Sequence, residues 1–167
     1  MWDFMISNLW MTNIAAWLFF HLAISILCLM IPQSYFLKSD GFRLYAWEQS
    51  GNIWQKLFRV KKWKNVLVDG ASVFRIGYGK KKLHGNKRDD LMLFAAETRR
   101  AELTHWLSIL PAPLFFLWNP FWAGCLMIAY ALVFNFPFII VQRYNRGRIL
   151  AILSPKDSKS KKDITKK

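Results

Sequence analysis

Charge is distributed along this chain in blocks, and the blocks decide what it can fold into. Residues 1–32 and residues 101–142 contain no lysine or arginine, so all 24 basic residues lie in 33–100 or from Arg143 onward. A chain that is 54% hydrophobic and carries a net charge of +14 fits an ordinary soluble domain poorly. Segregation of the two properties is what a bilayer imposes, because basic side chains are retained on the cytoplasmic side of apolar spans. The expectation is an all-α integral membrane protein with about three membrane segments: one N-terminal span, a C-terminal helical hairpin, and an amphipathic segment lying at the cytoplasmic interface.

Residues 9–31 form a run of 23 interrupted only by Thr12, Asn13, His21 and Ser25, long enough to cross a hydrocarbon core of about 30 Å. A secretory signal peptide is the competing reading, but residues 1–10 lack a positive n-region and the apolar run exceeds a typical h-region. The second apolar region, 103–141, is broken by Pro111, Pro113 and the Asn119–Pro120 pair, which reads as a turn. Its first arm, 103–118, amounts to roughly 24 Å of helix and either crosses or enters and returns. Its second arm, 121–141, is long enough to span, with Gly124, Asn135 and Pro137 inside it.

The expected organisation is therefore an N-terminal span (1–32), a basic interfacial segment (33–100), a transmembrane hairpin (101–142) and a basic tail (143–167). The protein is placed in the cell membrane as a multi-pass chain, with its N-terminus outside and its basic loop and tail cytoplasmic. Cys28 and Cys125 fall in the spans and show no pairing pattern, so both read as small buried hydrophobes. The Lys-rich tail reads as a disordered arm near anionic lipid.

Within the basic segment, residues 52–64 read NIWQKLFRVKKWK. As one helix they set Ile53, Trp54, Leu57, Phe58 and Val60 against Gln55, Lys56, Arg59 and Lys62, which suits the plane of an anionic membrane interface. Residues 65–78 suggest a short hairpin around Asp69–Gly70, and residues 80–88 a basic loop. Asp89 or Asp90 is expected to N-cap a helix beginning at Leu91 and continuing through Glu102.

Chemistry concentrates where that helix meets the apolar region, in ETRRAELTHWLSILP (97–111). Glu102 and His105 are spaced i, i+3, which brings a carboxylate to an imidazole on one helical face. Such a pair holds the ring in one tautomer and stabilises its protonated form, as a base accepting a hydroxyl proton requires; an interfacial ion pair anchoring the helix is the alternative. A metal site built on the same pair lacks partners, since the other histidines are His21, mid-span, and His84, in the basic loop. His84 to Asp89 matches the His-x4-Asp spacing of glycerolipid acyltransferases without the apolar context of that motif.

Further along, Asn135, Ile139, Gln142 and Arg146 follow one helical stripe. Pro137 lacks a backbone donor and opens the hydrogen-bond ladder near Asn135. Asn135 and Gln142 can offer amides to a polar substrate group or an oxyanion, while Arg99, Arg143, Arg146 and Arg148 suit the phosphates of a donor such as a coenzyme A thioester. His21 either packs against a neighbouring helix or contacts a sugar.

The blocks KLFRVKKWK…DG (56–70), ETRRAELTHWLSILP (97–111) and NFPFIIVQRYNRGR (135–148) resemble the glycosyl-4,4′-diaponeurosporenoate acyltransferase family. The resemblance runs in order over most of the chain, and the RAELTHW and VQRYNR blocks are its specific part. It implies esterification of the sugar of a glycosylated C30 carotenoid, or a related glycolipid, with a fatty acyl group in a staphyloxanthin-type pathway. The expected partners are that acceptor, an acyl coenzyme A or acyl carrier protein donor and an anionic membrane; no cofactor, metal or nucleic acid is expected. A non-catalytic adaptor of a carotenoid-synthesising complex and a metal-dependent intramembrane hydrolase are the alternatives.

Overall fold

The computed structural model describes residues 2–38, 43–65, 67 and 88–154. The expected hairpin over 65–78, the basic loop with His84, and the Lys-rich tail beyond Ser154 lie outside the described residues, apart from Asn65, Leu67 and Arg88.

Most of the described residues are helical and none of them forms a strand, and the chain is an all-α membrane protein. Among the described residues six α-helices follow in order: α1 (Trp2–Met30), α2 (Gln33–Lys38), α3 (Asn52–Phe58), α4 (Val60–Trp63), α5 (Arg88–Ile109) and α6 (Phe121–Leu153). Two tight 3₁₀ segments, Ala46–Gly51 and Ala112–Leu117, precede α3 and α6. Among the described residues two helices are long and apolar enough to cross a membrane, over Asn8–Met30 and Phe121–Leu153.

Four local expectations change. The arm over 103–118 is not one helix: α5 ends at Ile109, and Pro111 and Pro113 divert the chain into the 3₁₀ segment because they cannot continue the donor ladder. Conversely, α6 does not stop near Val141 but continues to Leu153, since Tyr144, Arg146 and Ile149 are buried and tertiary packing sustains the helix. The amphipathic helix over 52–64 is broken at Arg59, which adopts a left-handed conformation at φ 49°. That break turns Val60 into the core and leaves Leu57 and Phe58 exposed. Finally, α5 begins at Arg88, so Asp89 and Asp90 occupy its first turn, where negative charge favours the exposed N–H groups.

The chain divides into two compact units, one comprising Met1–Pro32 with Glu102–Ile139 and the other Gln33–Ala101 with Ile140–Lys167. In the first, Trp17 of α1 packs with Ala112, Phe115, Met127 and Ala131. An amide pair reinforces this core: Asn13 Nδ2 donates to Asn119 Oδ1 and Asn119 Nδ2 to Asn13 Oδ1, each at 2.9 Å, while Trp118 Nε1 donates to Asn13 Oδ1 at 2.8 Å. In apolar surroundings such a closed set of amides escapes the penalty of unpaired polar groups. Cys28 is buried as expected, whereas Cys125 is exposed on α6.

The second unit is held by Glu48, which is fully buried on the 3₁₀ segment Ala46–Gly51. Arg143 grips its carboxylate with Nε and Nη2, and Trp54 Nε1 and the Tyr45 backbone N–H complete the shell at 2.8 and 2.9 Å. Next to it the backbone turns left-handed at Gln49, Ser50 and Gly51 and comes against α6. A Cβ on Gly51 would sit 2.8 Å from Tyr144 O, and one on Gly147 would sit 2.5 Å from the Ser50 carbonyl carbon. Only two glycines permit that approach.

Candidate active site

His105 lies on the last turns of α5, within the first unit. Its Nδ1 is 3.0 Å from Asn135 Oδ1 on α6, and its ring stacks on Phe138 with centroids 4.5 Å apart and planes 15° from parallel. Asn135 is fully buried and its Nδ2 donates to the Ala131 carbonyl at 2.8 Å. That second bond fixes which way the amide points, since only nitrogen can donate to a carbonyl. Oδ1 therefore faces the imidazole as an acceptor, His105 carries its proton on Nδ1, and the lone pair of the neutral ring resides on Nε2. A stacked ring with one tautomer imposed is the arrangement a histidine base requires.

Glu102 is buried one turn earlier on the same helix and accepts a hydrogen bond from Trp106 Nε1 at 3.4 Å. The i, i+3 spacing thus places Glu102 and His105 on adjoining turns of α5, while the partner of His105 Nδ1, Asn135, comes from α6. Spacing alone could not find it, because His105 and Asn135 are 30 residues apart.

All four residues of the predicted stripe are buried: Asn135, Ile139, Gln142 and Arg146. The arginines belong to the second unit and have distinct surroundings. Arg99 donates to the Phe36 and Leu37 carbonyls, so it caps the C-terminal end of α2. Arg143 is committed to Glu48 and also lies over the Tyr45 ring at 5.7 Å. Arg146 is fully buried, and Arg148 is exposed.

Glu48 is the residue sequence reasoning missed. The signal for it was its rarity, as one of two acids among residues 33–64. Burial alone pushes its carboxyl pKa up, but the hydrogen bonds from Arg143, Tyr45 and Trp54, together with the Arg143 charge, outweigh that and hold it below the usual value. Among the described residues, no three His, Cys, Asp or Glu side chains converge as a metal-ligand set.

His21 packs by its ring, stacked on Trp17 at 5.4 Å and tilted against Phe134 at 5.7 Å.

Comparison with known proteins gives a consistent result. Residues 32–155 match the family model described as glycosyl-4,4′-diaponeurosporenoate acyltransferase. A protein of that name from Staphylococcus haemolyticus (strain JCSC1435) is 36% identical over 146 residues, covering 86% of this chain and 84% of the relative. One from Staphylococcus aureus (strain bovine RF122 / ET3-1) is 40% identical over 138 residues, covering 82% and 83%. No solved structure matches the chain.

Proposed function

The chain belongs to the glycosyl-4,4′-diaponeurosporenoate acyltransferase family and is an acyltransferase, and from that premise we propose that it esterifies a sugar hydroxyl of a glycosylated C30 carotenoid with a fatty acyl group from a thioester donor. The observation that carries the mechanism is the His105–Asn135 hydrogen bond, which leaves Nε2 as the basic nitrogen.

In the proposed reaction, Nε2 of His105 takes the hydroxyl proton as the sugar oxygen forms its bond to the acyl carbon. The C–S bond then breaks, and the thiolate leaves with the proton returned by the imidazolium. Glu102, a turn away in low-dielectric surroundings, stabilises that imidazolium. Asn135 acts as a positioning residue, since its oxygen and nitrogen are engaged by His105 and Ala131.

For the donor's phosphates, Arg148 is the exposed cation of the set, while Arg99 and Arg143 serve mainly to order the second unit. The positive-inside pattern puts the basic segment and the donor on the cytoplasmic side of the cell membrane, with the N-terminus outside. Exposed Leu57 and Phe58, beside Lys56, Arg59, Lys61 and Lys62, suit contact with an anionic leaflet.

The test is transfer of a labelled acyl group to the glycosylated carotenoid by purified protein, with acyl coenzyme A and acyl carrier protein thioesters compared. Transfer by the wild type and loss of at least a hundredfold in folded His105→Ala supports the reading. Equal rates in both remove His105 from the mechanism, and absence of transfer with either donor overturns the proposed reaction.

A further inference from the structure

A continuous series of rings leads away from His105 within the first unit. His105 stacks on Phe138; Phe138 contacts Phe134 at 5.8 Å; Phe134 stacks on Tyr130 at 5.5 Å with planes 21° apart. Behind them, α1 supplies a second rail, with His21 against Phe134 and Trp17 against Tyr130 at 5.2 Å. Tyr130, Phe134 and Phe138 are spaced i, i+4, i+8, so they form a straight stripe about 12 Å long on α6. Tyr130 and Phe134 remain 40% and 45% exposed, whereas Trp17 is buried. The Nε2 atom of His21 is buried with no hydrogen-bond partner among the described residues, so His21 acts here as a ring surface.

We propose that this stripe is the seat of the acceptor's conjugated chain, holding a flat polyene along Tyr130, Phe134 and Phe138 so that its glycosyl end meets His105. The inference rests on the proposed transfer reaction and adds to it a binding site and a basis for acceptor choice. Saturated lipid tails gain no more from rings than from aliphatic side chains; the exposed surface of α6 carries both, Leu126, Leu132 and Val133 as well as Phe121, Trp122 and Phe136, and what distinguishes Tyr130, Phe134 and Phe138 is their unbroken ring contact to His105. A conjugated chain has polarisable π faces, and offset contact between such faces is favourable beyond burial alone. Continuity decides the occupant: the stripe ends at the stacked imidazole, so whatever lies on it presents its end to the base.

Two readouts on Tyr130→Leu, Phe134→Leu and the double variant test this, since leucine keeps the apolar surface and removes the rings. The first is induced circular dichroism in the visible band when glycosyl-4,4′-diaponeurosporenoate is added to protein in nanodiscs. Wild type is expected to induce a signal and the double variant to lose it; a silent wild type, or an unchanged signal in the double variant, overturns the site. The second is the ratio of kcat/KM for that acceptor to kcat/KM for a saturated alkyl glucoside of equal length. A fall of about tenfold supports the site, and a ratio within twofold of wild type overturns it. If wild type transfers acyl groups to neither acceptor, the proposed reaction fails while the dichroism still decides the stripe.

Discussion

Glu48 and Arg143 are 95 residues apart in sequence and form a two-pronged ion pair in which the carboxylate is entirely buried and the guanidinium nearly so. A buried carboxylate with four donors around it is stable only while all are in place. It ties the 3₁₀ segment to α6 in the second unit and thereby determines where the left-handed turn at Gln49–Gly51 lies.

Removing one member of that pair is expected to be costly. Glu48→Gln should destabilise the protein at neutral pH by about 3 kcal/mol, since it strips charge from a buried partner. The sign of the pH dependence follows from the depressed carboxyl. Its folded pKa lies below the ordinary 4.5, so the contribution is complete above that value and is lost as pH falls through the folded pKa. Thermal unfolding in detergent from pH 7 downward should show the gap between wild type and Glu48→Gln narrowing in acid; a constant gap would contradict the assignment.

Gly147→Ala should be among the more damaging alanine substitutions on α6, although alanine favours helices. The added carbon would meet the Ser50 backbone at 2.5 Å, and backbone cannot move aside as a side chain does. A loss of about 1–3 kcal/mol is expected, read as a lower unfolding midpoint, whereas the nearest atoms to a Cβ on Gly124 belong to the Phe116 ring, a side chain that can shift, so Gly124→Ala should cost less.

Asn119→Ala removes the acceptor of the buried Asn13 Nδ2, while Trp118 Nε1 still donates to Asn13 Oδ1. A cost of about 1–3 kcal/mol follows. Asn13→Ala in the same background should cost less than it does alone, because the Asn13–Asn119 pair is already lost and only the Trp118 bond remains to break, and a double-mutant cycle measures that coupling.

Asn135→Leu and Asn135→Asp should separate positioning from packing. Leucine removes the acceptor for His105 Nδ1, so kcat should fall at least tenfold with the acceptor KM little changed. Aspartate keeps an acceptor and adds charge, which stabilises imidazolium and moves the acid limb of the kcat profile to higher pH. A purely structural Asn135 would give both variants the wild-type pH profile.

The membrane-spanning character of the chain was legible because charge and hydropathy are local properties: α1 and most of α6 follow from runs without Lys or Arg. The placement of Glu102 and His105 on adjoining turns of one helix was also legible, since helical spacing places residues three apart on one face. Less could be read where two plausible signals competed. Residues 52–64 carry a helical pattern, yet Arg59 turns left-handed, and Val60 is drawn into a core with Ile140, Val141 and Tyr144. For 103–118 the composition left crossing and re-entry both open, and the structure shows where its prolines end the helix, at Ile109.

What the sequence by itself determined is the membrane class, the basic blocks and the family, all of which depend on the order of residues along the chain. Tertiary structure alone decided that Asn135 holds His105, that Glu48 takes Arg143, and that α6 extends to Leu153. The two pairings join residues distant in sequence and the extension depends on burial of Tyr144, Arg146 and Ile149; such contacts form only when segments approach closely enough for directional hydrogen bonds and packing to select one partner among many.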